Sequence, residues 1–342
     1  MKRGLVVGKR GLSTLVTSLI LILLVLVAVG ILYSVYINFI KEGVGDISMG
    51  KFTINLEVQS VVVNDDSIDV NVKRNMGDGA LTGIKFVVSD GVKTEVFDES
   101  TTIDELGSNT FNLAYSGLVK DVSVAPIVTT SSGKESVGNV ADKFEIPEKR
   151  ILENLGAVSW WKFEGNANDE IGGNDGTLFG DTVCNVEGKK GNACSFDGSG
   201  DYVNVGSVPI GSNWAISAWF NYPLASPSTW NTLIRGISYH HIIVQRSNMH
   251  LGVYLSGFRD SGFGMSTLSN GWHHLTAVGT GGNTLFYIDG EYKGTSAYQP
   301  TDNIMVIGNY QGGSQQFGTI DEPMIFNKAL TEDEVKALYN LY

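Results

Sequence analysis

With 342 residues the chain has room for two domains at the usual ~100–200 residues each, and 42% hydrophobic against 18% charged residues excludes global disorder. The net charge is −12; beyond Lys2, Arg3, Lys9 and Arg10 the chain carries 20 basic against 36 acidic residues, a balance that phosphate backbones repel, so nucleic acid is excluded as a partner. Glycine is abundant (42) and proline scarce (7), and the glycines punctuate short apolar runs without a strict period, which points to the turns of an all-β architecture and away from collagen.

The first element is apolar. Residues 12–40 contain no Asp, Glu, Lys or Arg, and ~20 helical residues suffice to cross a bilayer core. The basic residues before this run predict a cytoplasmic N-terminus and export of everything after Lys41. A secretory signal peptide, the alternative, has an apolar core of only ~7–15 residues and a small-residue cleavage site that this run lacks. Lys9-Arg10-Gly11 followed by Leu12-Ser13-Thr14 resembles the N-terminus of archaeal type IV pilin and archaellin precursors. That resemblance implies cleavage after Gly11, a mature chain starting at Leu12, and a helix that packs into a filament core with other pilin-like subunits. Val16 stands where bacterial pilins carry Glu, a departure shared by many archaeal relatives. An uncleaved single-pass anchor explains the same flanks.

Residues 50–146 read as a small β domain. Strands are predicted at 52–58, 67–72, 81–88, 94–97, 110–114 and 122–128, from alternating apolar and polar positions separated by Gly, Asp, Asn and Ser. Short strands at this spacing predict an immunoglobulin-like sandwich acting as a spacer. Residues 147–156 read as a short charged linker. All six tryptophans follow, between Trp160 and Trp272, and mark a second domain over 157–342. Within it Cys184 and Cys194 flank Gly188-Lys189-Lys190-Gly191, which can turn a hairpin; outside the cytoplasm such a pair oxidises, so a disulfide is predicted.

The second domain carries an ordered set of motifs: Val158-Ser-Trp-Trp-Lys-Phe-Glu164, Asn168-Asp169 to Asn174-Asp-Gly176, Gly191-Asn-Ala-Cys-Ser-Phe-Asp-Gly198, Ile216-Ser-Ala-Trp-Phe220, Gly271-Trp-His-His-Leu275, Leu285-Phe-Tyr-Ile-Asp-Gly290, Ile320-Asp-Glu322 and Ala329-Leu-Thr-Glu-Asp-Glu-Val335. Together they resemble the laminin G-like, concanavalin A-type jelly roll. Independently of that likeness, Asp289-Gly290 suits a tight hairpin turn. Alternation places Ile216, Ala218 and Phe220 on one face of a strand and Ser217 and Trp219 on the other. Thr331 to Glu334 forms a capping box for a short helix.

Some proteins of this fold are glycosidases, which need two carboxylates facing the scissile bond. Asp321 and Glu322 are adjacent, and a regular strand would point them to opposite sides; the adjacent pairs His240-His241 and His273-His274 are equally unsuited to gripping one ion. The domain is therefore read as non-enzymatic. The resemblance implies a structural calcium ion near the early acidic turn and the late aspartate, and carried over to this sequence its ligands are Asp169, Asn174 and Asp321; a hydrogen-bonded turn without metal is the alternative. It also implies carbohydrate as the ligand class. Trp230, Phe258, Arg259, Tyr310 and Gln311 on the loops around 223–231, 256–264 and 309–317, with Tyr239 and Tyr254 on strands, offer ring faces and planar polar groups; Trp230, Tyr239, Arg259 and Tyr310 are the predicted ligand residues.

The sequence thus predicts an all-β chain with one N-terminal transmembrane helix, an immunoglobulin-like sandwich and a concanavalin A-like jelly roll. Its domains are a basic leader (1–11), a transmembrane or pilin-like helix (12–40), a spacer (50–146), a linker (147–156) and the jelly roll (157–342). The expected protein is a single-pass cell-membrane protein with extracellular C-terminal domains, binding surface glycans or glycoproteins in adhesion. A filament subunit without ligand, or a polysaccharide hydrolase, are the alternatives.

Overall fold

The computed structural model describes residues 53–129, 133–226, 229–311 and 313–342. The apolar run, Gly11 and Leu12 lie outside the described residues; among the described residues no helix is long and apolar enough to cross a membrane.

The first domain is a two-sheet sandwich. One sheet has the order β1 (Leu56–Val63), β2 (Ser67–Arg74), β5 (Ser108–Ala114); the other has β4 (Thr94–Ser100), β3 (Leu81–Ser89), β6 (Asp121–Thr129), β7 (Glu135–Val137), with β8 (Asp142–Glu145) also on β6. Strands 1, 2 and 5 face strands 3, 6 and a split seventh, the immunoglobulin-like allocation, except that β4 joins the β3 edge. Alternation drives the packing: Ile68, Val70 and Val72 of β2 and Ile84, Phe86 and Val88 of β3 are fully buried, and the Phe86 and Phe111 rings meet at 5.1 Å across the sheets. The first strand begins at Leu56, later than residue 52, and β7 and β8 were not expected because three- and four-residue polar segments carry no alternation signal.

The expected charged linker is a helix. α1 (Glu148–Asn154) buries Ile151 and Leu152, which with Leu155 form one apolar stripe, and it ends at Gly156, whose φ of 83° closes the helix in a left-handed turn. One contiguous core runs from Val70 and Val122 in the first domain through Ile151, Leu152 and Leu155 to Trp160, Tyr287, Met324, Phe326, Val335 and Leu338 in the second. The two domains are fused.

The second domain is a jelly-roll sandwich. Its seven-stranded sheet has the order β10 (Thr177–Phe179), β13 (Tyr202–Val208), β22 (Ile304–Ile307), β15 (Trp230–Gly236), β16 (His240–Gln245), β17 (His250–Tyr254), β18 (Phe258–Gly264). Its eight-stranded sheet has β11 (Val183–Glu187), β12 (Asn192–Phe196), β23 (Gly318–Phe326), β14 (Asn213–Tyr222), β19 (Gly271–Thr280), β20 (Thr284–Ile288), β21 (Glu291–Ser296), with β9 (Ala157–Trp160) on β23. Between the sheets lies a second core in which Ile216, Ala218 and Phe220 meet Leu233, Ile234, Val244 and Val253, the face that alternation predicts. Asp289 and Gly290 turn with φ of 53° and 77°. α2 (Glu332–Tyr339) starts from the expected capping box, Thr331 Oγ1 accepting from the Glu334 amide at 3.3 Å and Glu334 Oε2 accepting from the Thr331 amide at 2.8 Å. Cys184 and Cys194 are disulfide-bonded on neighbouring strands β11 and β12.

The outer face of the eight-stranded sheet is covered. Trp219 packs against Tyr339 and Tyr342 at 5.6 and 6.5 Å, and Lys189 and Lys190 of the disulfide-closed hairpin sit over the Trp219 and Tyr342 rings at 4.3 and 4.9 Å. Lys190 also pairs with Glu148 of α1 at 2.6 Å.

One expectation about this face fails. Asp321 and Glu322 do not point to opposite sides: the β14–β23 register shifts between Ser217 and Trp219, and Glu322 takes φ 51°. Asp321 stands opposite Trp219 and accepts from the Lys190 amide at 3.0 Å, while Glu322 accepts from the Trp160 indole and from the Tyr342 hydroxyl, so both carboxylates lie on the covered face. Both are essentially inaccessible, at 0 and 1% exposure. Burial pushes Asp321 up to about 7 against the pull of the Lys190, Glu322 and Lys189 amides. It pushes Glu322 up to about 8 despite the Trp160 indole, with Asp321 and Glu148 adding repulsion.

Candidate functional site

With one sheet covered by the first domain and α2, the outer face of the seven-stranded sheet holds the open site. Along β15, Trp230 and Thr232 project outward while Leu233 and Ile234 enter the core; a register shift then returns Arg235 to the outer face, where it pairs with His240 of β16. His240 in turn pairs with Tyr254 of β17, and Tyr254 with Phe258 of β18. In-register neighbours on one face lie close enough for side chains to touch, and a chain of ring contacts results: Trp230 meets Tyr254 at 5.7 Å and Phe258 at 5.5 Å, and Tyr254 meets His240 at 5.7 Å.

The segment after β22 folds over this row. Tyr310 lies nearly parallel to the His240 ring (5.7 Å, 11°) and over the Arg235 guanidinium (4.4 Å), yet remains 41% exposed. Asn309 Oδ1 fixes the loop by accepting from the amides of Tyr310 and Gln315, both at 2.7 Å. Gln315 reaches down to Thr232, whose hydroxyl donates to Gln315 Oε1 at 2.8 Å and lies 2.9 Å from His240 Nδ1. Tyr310, Trp230 and Tyr254, with Arg235, His240, Ile243 and Gln315, line a cavity of about 350 Å³. Its size is at the lower end of the ~300–1,000 Å³ usual for ligand pockets. Burial, and after it the charge of Arg235, pushes His240 down to about 3, so the ring is a neutral hydrogen-bonding group at physiological pH.

Of the four predicted ligand residues the structure brings two together, Trp230 and Tyr310, beside Tyr254, which the sequence offers as a strand-borne platform. Trp230 is not on a loop; it opens β15 and is half-buried. Arg259 stands opposite the core residue Val253, on the other side from Phe258, and stacks on Tyr298 at 4.1 Å. Tyr239 does not line the cavity, and its amide donates to Asp302 at 3.2 Å. Arg235, His240 and Gln315 were not foreseen. The signal was present for the first two: Arg235 and His240 bracket a four-residue connection, and hairpin pairing places such residues side by side.

The predicted calcium ligands do not fit a calcium ion. Asp169 Oδ1 accepts from the amides of Trp160, Ile171 and Gly172 at 2.9–3.0 Å, and Oδ2 from Asn174 N and Nδ2 at 2.9 and 3.1 Å. Burial pulls Asp169 upward, but these amides outweigh it and hold the carboxyl below its ordinary value. Both Asp169 oxygens are thus committed to N–H donors, the alternative the acidic turn allowed. Asp321 belongs to the other cluster, with Lys190 and Glu322. Among the described residues no group of three or more His, Cys, Asp or Glu is placed to hold a metal.

The second histidine pair is structural. His273 is held at both nitrogens, by Asp289 at 2.7 Å and the Ser269 carbonyl at 2.9 Å, and buried His274 shares a 2.6 Å hydrogen bond with Ser217. A further cavity of about 240 Å³ opens at the seam between the domains. Among its charges, Lys143 pairs with Asp121 and Glu145, and Lys190 with Glu148.

Residues 197–336 match the family described as the Concanavalin A-like lectin/glucanases superfamily, and form a domain of that type. No curated protein matches the sequence. Among solved structures, domain 4 of the extracellular arabinanase AbnA from Geobacillus stearothermophilus, in complex with arabinotriose, is similar at 19% identity and TM-score 0.44, over 54% of this chain and 98% of that one. The binding domain of Paraclostridial Mosquitocidal Protein 1 is similar at 18% identity and TM-score 0.40, over 55% and 52%. Trypanosoma rangeli sialidase is similar at 10% identity and TM-score 0.38, over 82% and 61%. The chain thus spans only about half to three-fifths of the latter two. None of these likenesses bears on ligand or activity.

Proposed function

We propose that the chain is a membrane-anchored, pilin-like cell-surface protein whose jelly roll binds carbohydrate or glycoprotein in adhesion. The observation that carries the reading is the cavity lined by Tyr310, Trp230 and Tyr254, where three aromatic rings adjoin the polar groups of Arg235, Ser238, His240 and Gln315. Sugars present an apolar ring face and a rim of hydroxyls, and this cavity offers a partner for each: aromatic walls, and Gln315, Ser238 and neutral His240 for the hydroxyls. The anchored, pilin-like part of the reading is supported by the uncharged run 12–40, its basic flank and Lys9-Arg10-Gly11. A non-enzymatic domain is favoured because Asp321 and Glu322, which share a face, are too deeply buried for a polysaccharide to reach.

A glycan array probed with the full chain tests binding, and two substitutions test the site. Tyr310→Ala should weaken binding of the array hits by about tenfold or less, the worth of an aromatic stacking contact of ~0.5–1.5 kcal/mol beyond area. Its melting temperature should fall less than that of Trp230→Ala, since the ring stacks on His240 and Arg235 but is 41% exposed. Trp230→Ala should weaken binding comparably and also lower the melting temperature, because the indole packs on Tyr254 and Phe258. An array without hits would leave the filament-subunit reading in its place. For topology, protease added to intact cells should release a fragment from 157–342, and full protection would remove the exported assignment. The mass of the retained N-terminal piece decides whether Leu12 is the mature start.

A further inference from the structure

The cavity holds an unusual charge. Arg235 is 5% exposed, one Nη donates to the Ile237 carbonyl at 2.5 Å, and its Nε is buried with no hydrogen-bond partner. Among the described residues it forms no ion pair with a carboxylate; the groups that favour its charge are first the Tyr310 hydroxyl, which also hydrogen-bonds it, and then Asp302. Asp302, the carboxylate that acts on it through space, accepts with Oδ2 from the Ser238 and Tyr239 amides at 2.7 and 3.2 Å, while its Oδ1 is buried without a hydrogen-bond partner, 3.7 Å from His241 Nε2, and it does not line the cavity. A buried cation without a close anion is costly, and in folded proteins that cost is offset by pairing. The residues lining the cavity include no Asp or Glu, although the chain as a whole carries a charge of −12.

From this unpaired guanidinium in a carboxylate-free cavity we infer that the ligand is an acidic sugar, a glycan unit bearing a carboxylate, which Arg235 receives while Tyr310 and Trp230 hold the ring. The inference rests on the carbohydrate reading above and narrows it. The guanidinium fork matches a carboxylate in shape as well as charge. The guanidinium is 5% exposed beside the Tyr310 ring, and a charge pair formed so far out of water is strengthened.

The test compares ligands of one size that differ in charge, on the full-length chain by calorimetry: tetragalacturonate, its methyl ester, and galactotetraose, with sialyllactose against lactose to separate uronic from sialic acids. The free acid of at least one pair should bind about tenfold or more tightly than its uncharged counterpart, as a charge-assisted hydrogen bond is worth about that much. Arg235→Gln should remove the preference, and Arg235→Lys, which keeps the charge and loses the fork, should retain part of it. Should Arg235→Gln fail to fold, the acid and ester on the unaltered chain still decide. Equal affinity for acid and uncharged counterparts overturns the acidic ligand and leaves glycan binding standing. Absence of binding to every acid and neutral probe, and to the array, overturns both.

Discussion

Conformational stability of the folded chain should peak near pH 6–7 and fall by several kcal/mol on either side. On the alkaline side the buried pair Asp321 and Glu322 is responsible. Each has a folded pKa raised above its unfolded value, to about 7 and about 8. Their contribution is therefore complete below the ordinary carboxylate range and is lost as pH rises through those values. The groups facing them are Lys190, Glu148, Glu164 and the Tyr342 hydroxyl, so the pair titrates as part of one cluster. On the acid side the buried rings of His240, His241 and His274 are each depressed to about 3, chiefly by burial. Their contribution is complete above ~6.5 and is lost as pH falls towards 3, at ~1.4 kcal/mol per pH unit per group. Urea midpoints from pH 4 to 9 measure the curve. Glu322→Gln should flatten the alkaline limb and His274→Gln the acid limb. A stability that keeps rising from pH 7 to 9 would show that Glu322 is ionised in the fold.

Leu152→Ala should cost about 2–5 kcal/mol, as for other fully buried leucines, and should destabilise both domains at once. Two probes separate the possibilities, because all six tryptophans lie in the second domain, between Trp160 and Trp272. Tryptophan emission reports the jelly roll alone, whereas far-ultraviolet circular dichroism reports both sets of strands. The continuous core predicts coincident urea transitions for the two signals, before and after the substitution. If the emission curve stays in place while the dichroism curve shifts, the domains unfold independently and α1 belongs to the first alone.

Much of the fold could be read from residues whose neighbours in sequence decide their conformation. Ile68, Val70 and Val72 alternate, Asp289-Gly290 turns, and Thr331 with Glu334 caps, each by a local rule the structure obeys. α1 was hidden because Glu148, Lys149, Arg150 and Glu153 dominate its composition, and two adjacent apolar residues are too few to show a helical period. The bulge at Glu322 was hidden for a different reason. A positive φ at a glutamate is imposed by the neighbouring strands, and no local preference announces it. At the site, Trp230 and Tyr310 were visible as aromatics between turn residues, whereas Arg259 looked equivalent in sequence and failed on strand parity. Arg235 and His240 become partners only through cross-strand register.

The fused core also bears on how copies act together. A module on a flexible tether searches a volume set by the tether, and its effective concentration at a second ligand follows tether length. Here no such tether lies between β1 and Tyr310, because α1 packs Ile151 and Leu152 into the core that the two domains share. Copies held at β1 would therefore present the cavity at a fixed height and tilt relative to that strand. Avidity for a repetitive glycan would then be governed by the spacing between copies, rising sharply when it matches the repeat of the glycan and vanishing when it does not.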